Sequence, residues 1–234
     1  AFAFESRAGM GKFASFGALG WGMALLVAGP VANIMGVRYV FYMASMMVAI
    51  SFLVSLSLKP IPEVRVRPSL LPIKMFKKNR EFILPLIARH ATASSIWVLW
   101  PLFLREEVGL SLAEIGVVQA VNAFTQFGAM YLLGDRIRPD RAIALGLLLT
   151  SMAALSFIIV RSFPLFLATQ VILGLSWANL YVGSLRSMML KNRERATAAG
   201  FLNSSISLSS LIGPILALVL VQLFPYIPYI GPMI

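Results

Sequence analysis

Seven continuously apolar runs, at roughly 12–32, 38–58, 82–104, 112–133, 142–160, 164–186 and 196–222, take up most of this sequence. A helix rising 1.5 Å per residue needs about 20 residues to cross the hydrocarbon core of a bilayer, and each run is close to that length. Lipid offers no partner to a backbone N–H or C=O, so a spanning segment must be a helix or a strand of a closed barrel. Barrel strands alternate apolar and polar residues with period two, and these runs do not. The fold class that follows is all-α, a polytopic membrane protein of about seven transmembrane helices. Short connections make consecutive helices antiparallel neighbours.

Composition agrees, with 59% apolar residues and only 12% charged, far from the balance of a soluble domain. A net charge of +11 raises the question of nucleic acid. A nucleic-acid reader gathers its basic residues on one exposed face with aromatics between them, whereas here they sit in short clusters between apolar runs. No nucleic-acid partner is expected. The sequence has no cysteine and one histidine, so it implies no disulfide framework, no metal site and no cofactor. HExxH, a GK[ST] phosphate loop and paired intramembrane aspartates are also missing, and an enzyme is not expected. The opening AFAFESRAGMGK lacks the parts of a signal peptide, and the closing FPYIPYIGPMI is too short to cross alone. Both ends are expected to be interruptions of a longer chain.

Between the second and third runs lies KPIPEVRVRPSLLPIKMFKKNR, residues 59–80, with seven bases, one acid and four prolines. Lys and Arg concentrate in cytoplasmic loops, which makes this stretch a cytoplasmic linker. Sixteen basic residues then fall on the cytoplasmic side and only Arg38, Arg105 and Arg161 outside. The N-terminus is expected in the cytoplasm and the C-terminus of this stretch outside, in a plasma or inner membrane. That orientation is opposite to the seven-helix receptors and retinal proteins, and the last run has no lysine for a retinal Schiff base.

The first and last runs each leave a basic segment, pass through small residues and reach a Gly-Pro pair, Gly29-Pro30 and Gly213-Pro214. After the fourth run comes LGDRIRPDR, in which Leu133, Asp135 and Arg136 fit the loop pattern GxLxDRxGR, with Tyr131 and Arg138 in place of its glycines. On these residues the chain resembles the major facilitator superfamily, whose two six-helix halves are joined by a long cytoplasmic loop. The resemblance implies helices 5 to 11 of twelve: 1–58 closing the N-terminal half, 59–81 the linker, and 82–234 the C-terminal half without its final helix. It implies a secondary transporter that moves a small solute by alternating access and works as a monomer when full-length. Gly29-Pro30 also matches part of the antiporter signature GxxxGPxxGG, although Leu25, Asn33 and Ile34 replace its other glycines; the drug-efflux branch would add proton-coupled export. The competing reading is a channel-like or non-transporting helical bundle, an inactive fragment.

Residues for transport are sought among polar groups inside the apolar runs. No Asp or Glu lies mid-run, and the ionisable groups there are Arg89 and His90. Arg89 has two readings: attraction of an anionic substrate or a carboxylate across a cavity, or snorkelling of its long stem to the head groups. His90 either takes up a proton or is a neutral imidazole hydrogen-bonded between helices. At helical spacing, His90, Ser94 and Trp97 share one face, as do Gln119, Asn122 and Gln126, and as do Gln170, Trp177 and Tyr181. Stripes of polar groups inside a membrane need partners, supplied by an aqueous cavity with a substrate or by neighbouring helices. The ten residues of these three faces, Arg89 included, are the expected substrate site. Gly29, Pro30, Asp135, Arg136, Gly213 and Pro214 are the expected gating positions, Asp135 by capping a helix end and pairing with an Arg.

Overall fold

The computed structural model describes residues 9–57 and 73–223, so the linker up to Pro72 and both terminal segments lie outside the described residues. Every regular element among them is a helix: α1 Met10–Ile34, α2 Val37–Ser55, α3 Ile73–Glu106, α4 Leu112–Leu133, α5 Pro139–Ile159, α6 Phe163–Lys191 and α7 Arg195–Leu223. Six of the seven are long and apolar enough to cross a membrane. The exception is α4, which has the length, at 22 residues, but carries Glu114, Gln119, Asn122 and Gln126. Asn122 and Gln126 are turned inward and buried, Gln119 is half-buried, and Glu114 is exposed in the first turn.

Six of the helix boundaries follow the apolar runs within a few residues. The third differs: α3 begins at Ile73 instead of near residue 82. Prolines break helices and lysines do not. With Pro72 the last proline before Pro85, the bases Lys74, Lys77, Lys78 and Arg80 join the first turns of the helix. Local chemistry fixes the other starts. At α4, Ser111 and Glu114 form a reciprocal capping box, the Glu114 N–H donating to Ser111 Oγ and the Ser111 N–H to Glu114 Oε2 at 2.8 Å. Both α5 and α6 open with a proline in their first turn, where no N–H is needed.

Helix α6 is the centre of the bundle. It packs against α1, α3, α4, α5 and α7, whereas α2 touches only α1 among the described elements and buries none of its residues. Large apolar side chains cover the outside, as lipid-facing helices require: Phe13, Phe41, Leu155 and Leu211 are each more than 60% exposed.

The most extensive contact runs along α1 and α4. On α1 the residues facing it are small and recur with a 3.5-residue period, Gly11, Ser15, Ala18, Gly22 and Gly29, and antiparallel to them stand Gly116, Ala123 and Gly134. That period keeps one stripe facing the partner along the whole length. The backbones meet directly: a Cβ on Gly29 would sit 2.6 Å from the Leu112 carbonyl oxygen, and one on Gly11 would sit 2.5 Å from that of Met130. Small residues permit this approach, and dispersion between the backbones then holds the pair in a solvent where the hydrophobic effect gives little.

Gly29→Val is therefore expected to destabilise the protein by about 1–3 kcal/mol, the usual cost of overpacking. Gly20→Ala, on the open side of the same helix with nothing within 4 Å of its Cβ, leaves stability unchanged or slightly raised. Thermal unfolding in detergent distinguishes the two, and an equal loss in both would remove the seam from the account.

Candidate functional site

A cavity of about 380 Å³ opens in the middle of the bundle. One wall is α1, through Ala14, Gly17, Ala18 and Trp21. The others are α3 with Arg89, His90 and Trp97, α4 with Asn122, Gln126 and Met130, and α6 with Leu173, Trp177 and Tyr181. Small residues on α1 make the room; Gly17 has nothing within 4 Å of where a Cβ would stand.

Seven of the ten residues expected at the site line this cavity: Arg89, His90, Trp97, Asn122, Gln126, Trp177 and Tyr181. Three do not. Ser94 is turned to α7, packed against Gly213, where any Cβ would collide with it. Gln119 is half-buried and away from the cavity. Gln170 is fully buried behind the wall, accepting from Asn122 Nδ2 at 2.8 Å. Gln126 Nε2 donates in turn to Asn122 Oδ1, so the amides form a chain from cavity to interior. Its far end, Gln170 Nε2, has no partner among the described residues.

Arg89 does not snorkel. Its Nε donates to Thr150 Oγ1 on α5 at 3.0 Å, and its guanidinium lies over the Trp177 ring at 5.1 Å. Thr150 is itself held by Ser176 Oγ at 2.6 Å and donates to the Gly146 carbonyl, which locks the acceptor in place. His90 faces the same tryptophan, ring centres 4.9 Å apart, and its Nε2 lies 3.1 Å from Ser210 Oγ on α7. The last helix otherwise satisfies its hydroxyls on its own backbone: Ser205, Ser209 and Ser210 donate to carbonyls four residues earlier. Trp177 stacks on Tyr181 at 5.6 Å, which completes a row of three rings.

The expected gating residues separate into packing and capping groups. Gly29 closes the α1–α4 seam with Pro30 beside it, and Gly213 closes the α3–α7 contact with Pro214 exposed next to it. Asp135 joins α4 to the start of α1, accepting from the Met10 N–H at 3.0 Å and the Gly11 N–H at 3.1 Å. It thus meets the unpaired donors and positive end of a helix that has no side-chain cap of its own. Among the described residues Asp135 forms no ion pair with an Arg. Arg136 is exposed, and the guanidinium in the neighbourhood is that of Arg186, which donates to the carbonyls of Gly134 and Ile137 at 3.0 and 2.6 Å. A carboxylate already saturated by backbone N–H groups has little to gain from a cation that can instead satisfy two carbonyls.

Residues 86–231, more than half of the sequence, match the family model of the major facilitator superfamily. The chain belongs to that superfamily. No curated protein matches it. Members of the superfamily are transporters and not enzymes, and six helices long and apolar enough to cross a membrane make this chain a multi-pass membrane protein of that kind.

For a superfamily transporter the cavity contains residues that the sequence patterns passed over. Trp21 is one, and its signal was available: a mid-span tryptophan, three and four residues from small ones, is no interfacial anchor. Behind the wall, Thr150, the partner of Arg89, had no such signal, because a hydroxyl in a helix usually turns to its own backbone. Ser210, the partner of His90, lies on a polar stripe of the last run with Asn203 and Ser207. Met130 and Leu173 are ordinary apolar residues whose role comes from position alone.

Asp135→Asn is expected to weaken the start of α1 by about 0.5–2 kcal/mol, the range for lost caps and helix-end charges. Amide hydrogen exchange at Met10 to Phe13 should speed up, while Arg136→Gln leaves it unchanged. Unaltered protection in the Asp135 variant would show that the carboxylate does not hold this helix end.

Proposed function

We propose that this protein is a secondary transporter that binds a small solute in the central cavity and passes it across the membrane by alternating access. The observation that carries the reading is the cavity itself: polar and aromatic groups from four helices converge on one space in the middle of an otherwise apolar bundle. In this reading the seven helices correspond to helices 5 to 11 of the superfamily, with α1 and α2 from one half and α3 to α7 from the other. The α1–α4 seam is then where the halves meet. Asp135 on the α1 N-terminus is a latch at one end of that seam, and Gly29 against Leu112 and Gly116 is the contact at the other.

The end bearing Asp135 is proposed to be cytoplasmic, in a plasma or inner membrane. Its support is the gathering there of Lys12, Arg136, Arg138, Arg186 and Lys191, tied together through the Gly134 and Ile137 carbonyls and through Lys78 Nζ donating to the Lys191 carbonyl. A second reading, proton-exchanging export, rests on Gly29-Pro30 and on His90, the ionisable group beside Arg89 on the cavity wall.

Gly17 gives a direct test. Gly17→Phe projects a ring into the cavity without touching a helix contact, since nothing lies within 4 Å of its Cβ. Reconstituted protein is expected to give saturable solute flux, and this variant to lose it with an unchanged melting temperature. Flux that rises linearly with concentration, or survives the plug, would point instead to a channel or to a path elsewhere. For the proton-exchanging mode, an imposed pH gradient should drive counterflow in the native protein and not in His90→Gln; equal rates in both would remove His90 from coupling.

A further inference from the structure

The cavity wall holds one fixed positive charge, and nothing described balances it. Arg89 has five N–H donors. One, on Nε, is used by Thr150, and its face is covered by Trp177. The paired donors on Nη1 and Nη2 have no protein partner among the described residues, and no carboxylate among them pairs with this guanidinium. Some buried donors of the bundle find acceptors, as Asn122 does in Gln170 and Ser176 in the Gly146 carbonyl, while Gln170 Nε2, Trp100 Nε1 and Ser184 Oγ have none among the described residues. Arg89 differs from these in carrying a charge and in lining the cavity. An arginine anchored by one nitrogen, with its forked end left over, presents two parallel N–H bonds, the arrangement that a carboxylate accepts.

From this we infer that the central cavity takes a small aromatic monocarboxylate, its carboxylate on the Nη1 and Nη2 donors of Arg89 and its ring between Trp21 and Trp97. The inference rests on the transporter reading and names its substrate class. Charge sets the valence. In a low-dielectric interior one cation is neutralised by one anion, whereas a dianion leaves a net charge and an amine adds a second positive one. The rings set the body of the ligand. Trp177 is already covered by Arg89, His90 and Tyr181, but Trp21 and Trp97 line the cavity with no aromatic partner among the described residues. Asn122 and Gln126 supply amides on the opposite wall for a further polar substituent.

A second cavity of about 290 Å³ on the other side of Arg89 is a weaker host. Apart from Arg89 and the hydroxyls of Thr92, Thr150 and Ser151, its walls are apolar or aromatic. Thr150 already accepts from Arg89 there, and neither His90 nor the amide chain reaches it.

The test uses the full-length protein in detergent, with calorimetric titration of benzoate, indole-3-acetate, acetate, benzamide and benzylamine. Benzoate or indole-3-acetate should bind at least about tenfold more tightly than benzamide, benzylamine or acetate, the margin expected for a charge-assisted bidentate contact plus a ring. Arg89→Gln should abolish the preference for the acid over its amide, and Arg89→Lys, with the charge but not the fork, should keep part of it. Should Arg89→Gln fail to fold, the acid and amide pair still decides on the native protein. The proposal is overturned if neither aromatic acid binds, if benzamide or benzylamine binds as well, or if acetate matches benzoate. Uptake by proteoliposomes separates the two claims. Arg89-dependent binding without flux keeps the site and removes the transporter reading. Saturable flux of other solutes without preference for the acids does the reverse.

Discussion

The direct contact between the backbones of α1 and α4 is the constraint on which the rest of this structure depends. In water a helix pair is held by the burial of large apolar side chains; in lipid those side chains gain nothing by leaving their surroundings, and only close packing and polar contacts distinguish a partner from solvent. Glycines at both ends of the seam and small residues between them let the chains approach until one helix's carbonyl oxygens stand where the other's Cβ atoms would be. The cavity lies beside this seam where α1 is also small, through Ala14, Gly17 and Ala18, in a wall shared with Arg89, Asn122 and Trp177. Packing on one face of α1 and room on the next follow from one run of small side chains.

The polar interior follows the same economy of partners. Asn122, Gln126 and Gln170 form a chain of amides, Thr150 and Ser176 share the Gly146 carbonyl, and Asp135 takes the free donors of the α1 N-terminus. Each arrangement turns a group that would be costly in hydrocarbon into a link between two helices. Arg89 is the charged group that this economy leaves incomplete. Its Nε is fixed by Thr150 and its face by Trp177, yet Nη1 and Nη2 have no partner among the described residues, and the residue lines the cavity. The convergence of Arg89, His90, Asn122 and Gln126 on one space is what gives that space a chemical character.

The number, type and boundaries of the helices were legible in the sequence because the bilayer sets a length and forbids unpaired backbone, so a run of about 20 apolar residues has one outcome. The start of α3 was misread for a specific reason: positive charge marks a loop's side of the membrane but does not end a helix, so Lys74, Lys77, Lys78 and Arg80 lie within α3. Among the candidate residues, Arg89, His90, Trp97, Asn122, Gln126, Trp177 and Tyr181 were found together because helical periodicity places them on faces that the bundle turns inward. Ser94 and Gln170 share those faces by period and were still diverted, Ser94 to a contact with Gly213 and Gln170 to Asn122.

The sequence alone determined that this chain is a helical membrane bundle of a transporter superfamily, with polar stripes inside apolar helices, since periodicity and hydrophobic length are local properties of a chain. Only the tertiary structure decided which stripe faces a cavity and which a neighbour. It seated Asp135 on backbone donors, brought Thr150 to Arg89 from 61 residues away, and left Nη1 and Nη2 of that guanidinium without a partner among the described residues. Those outcomes depend on the distance and rotation between helices, which small residues spread over several segments set jointly, so no single stretch of the chain carries them.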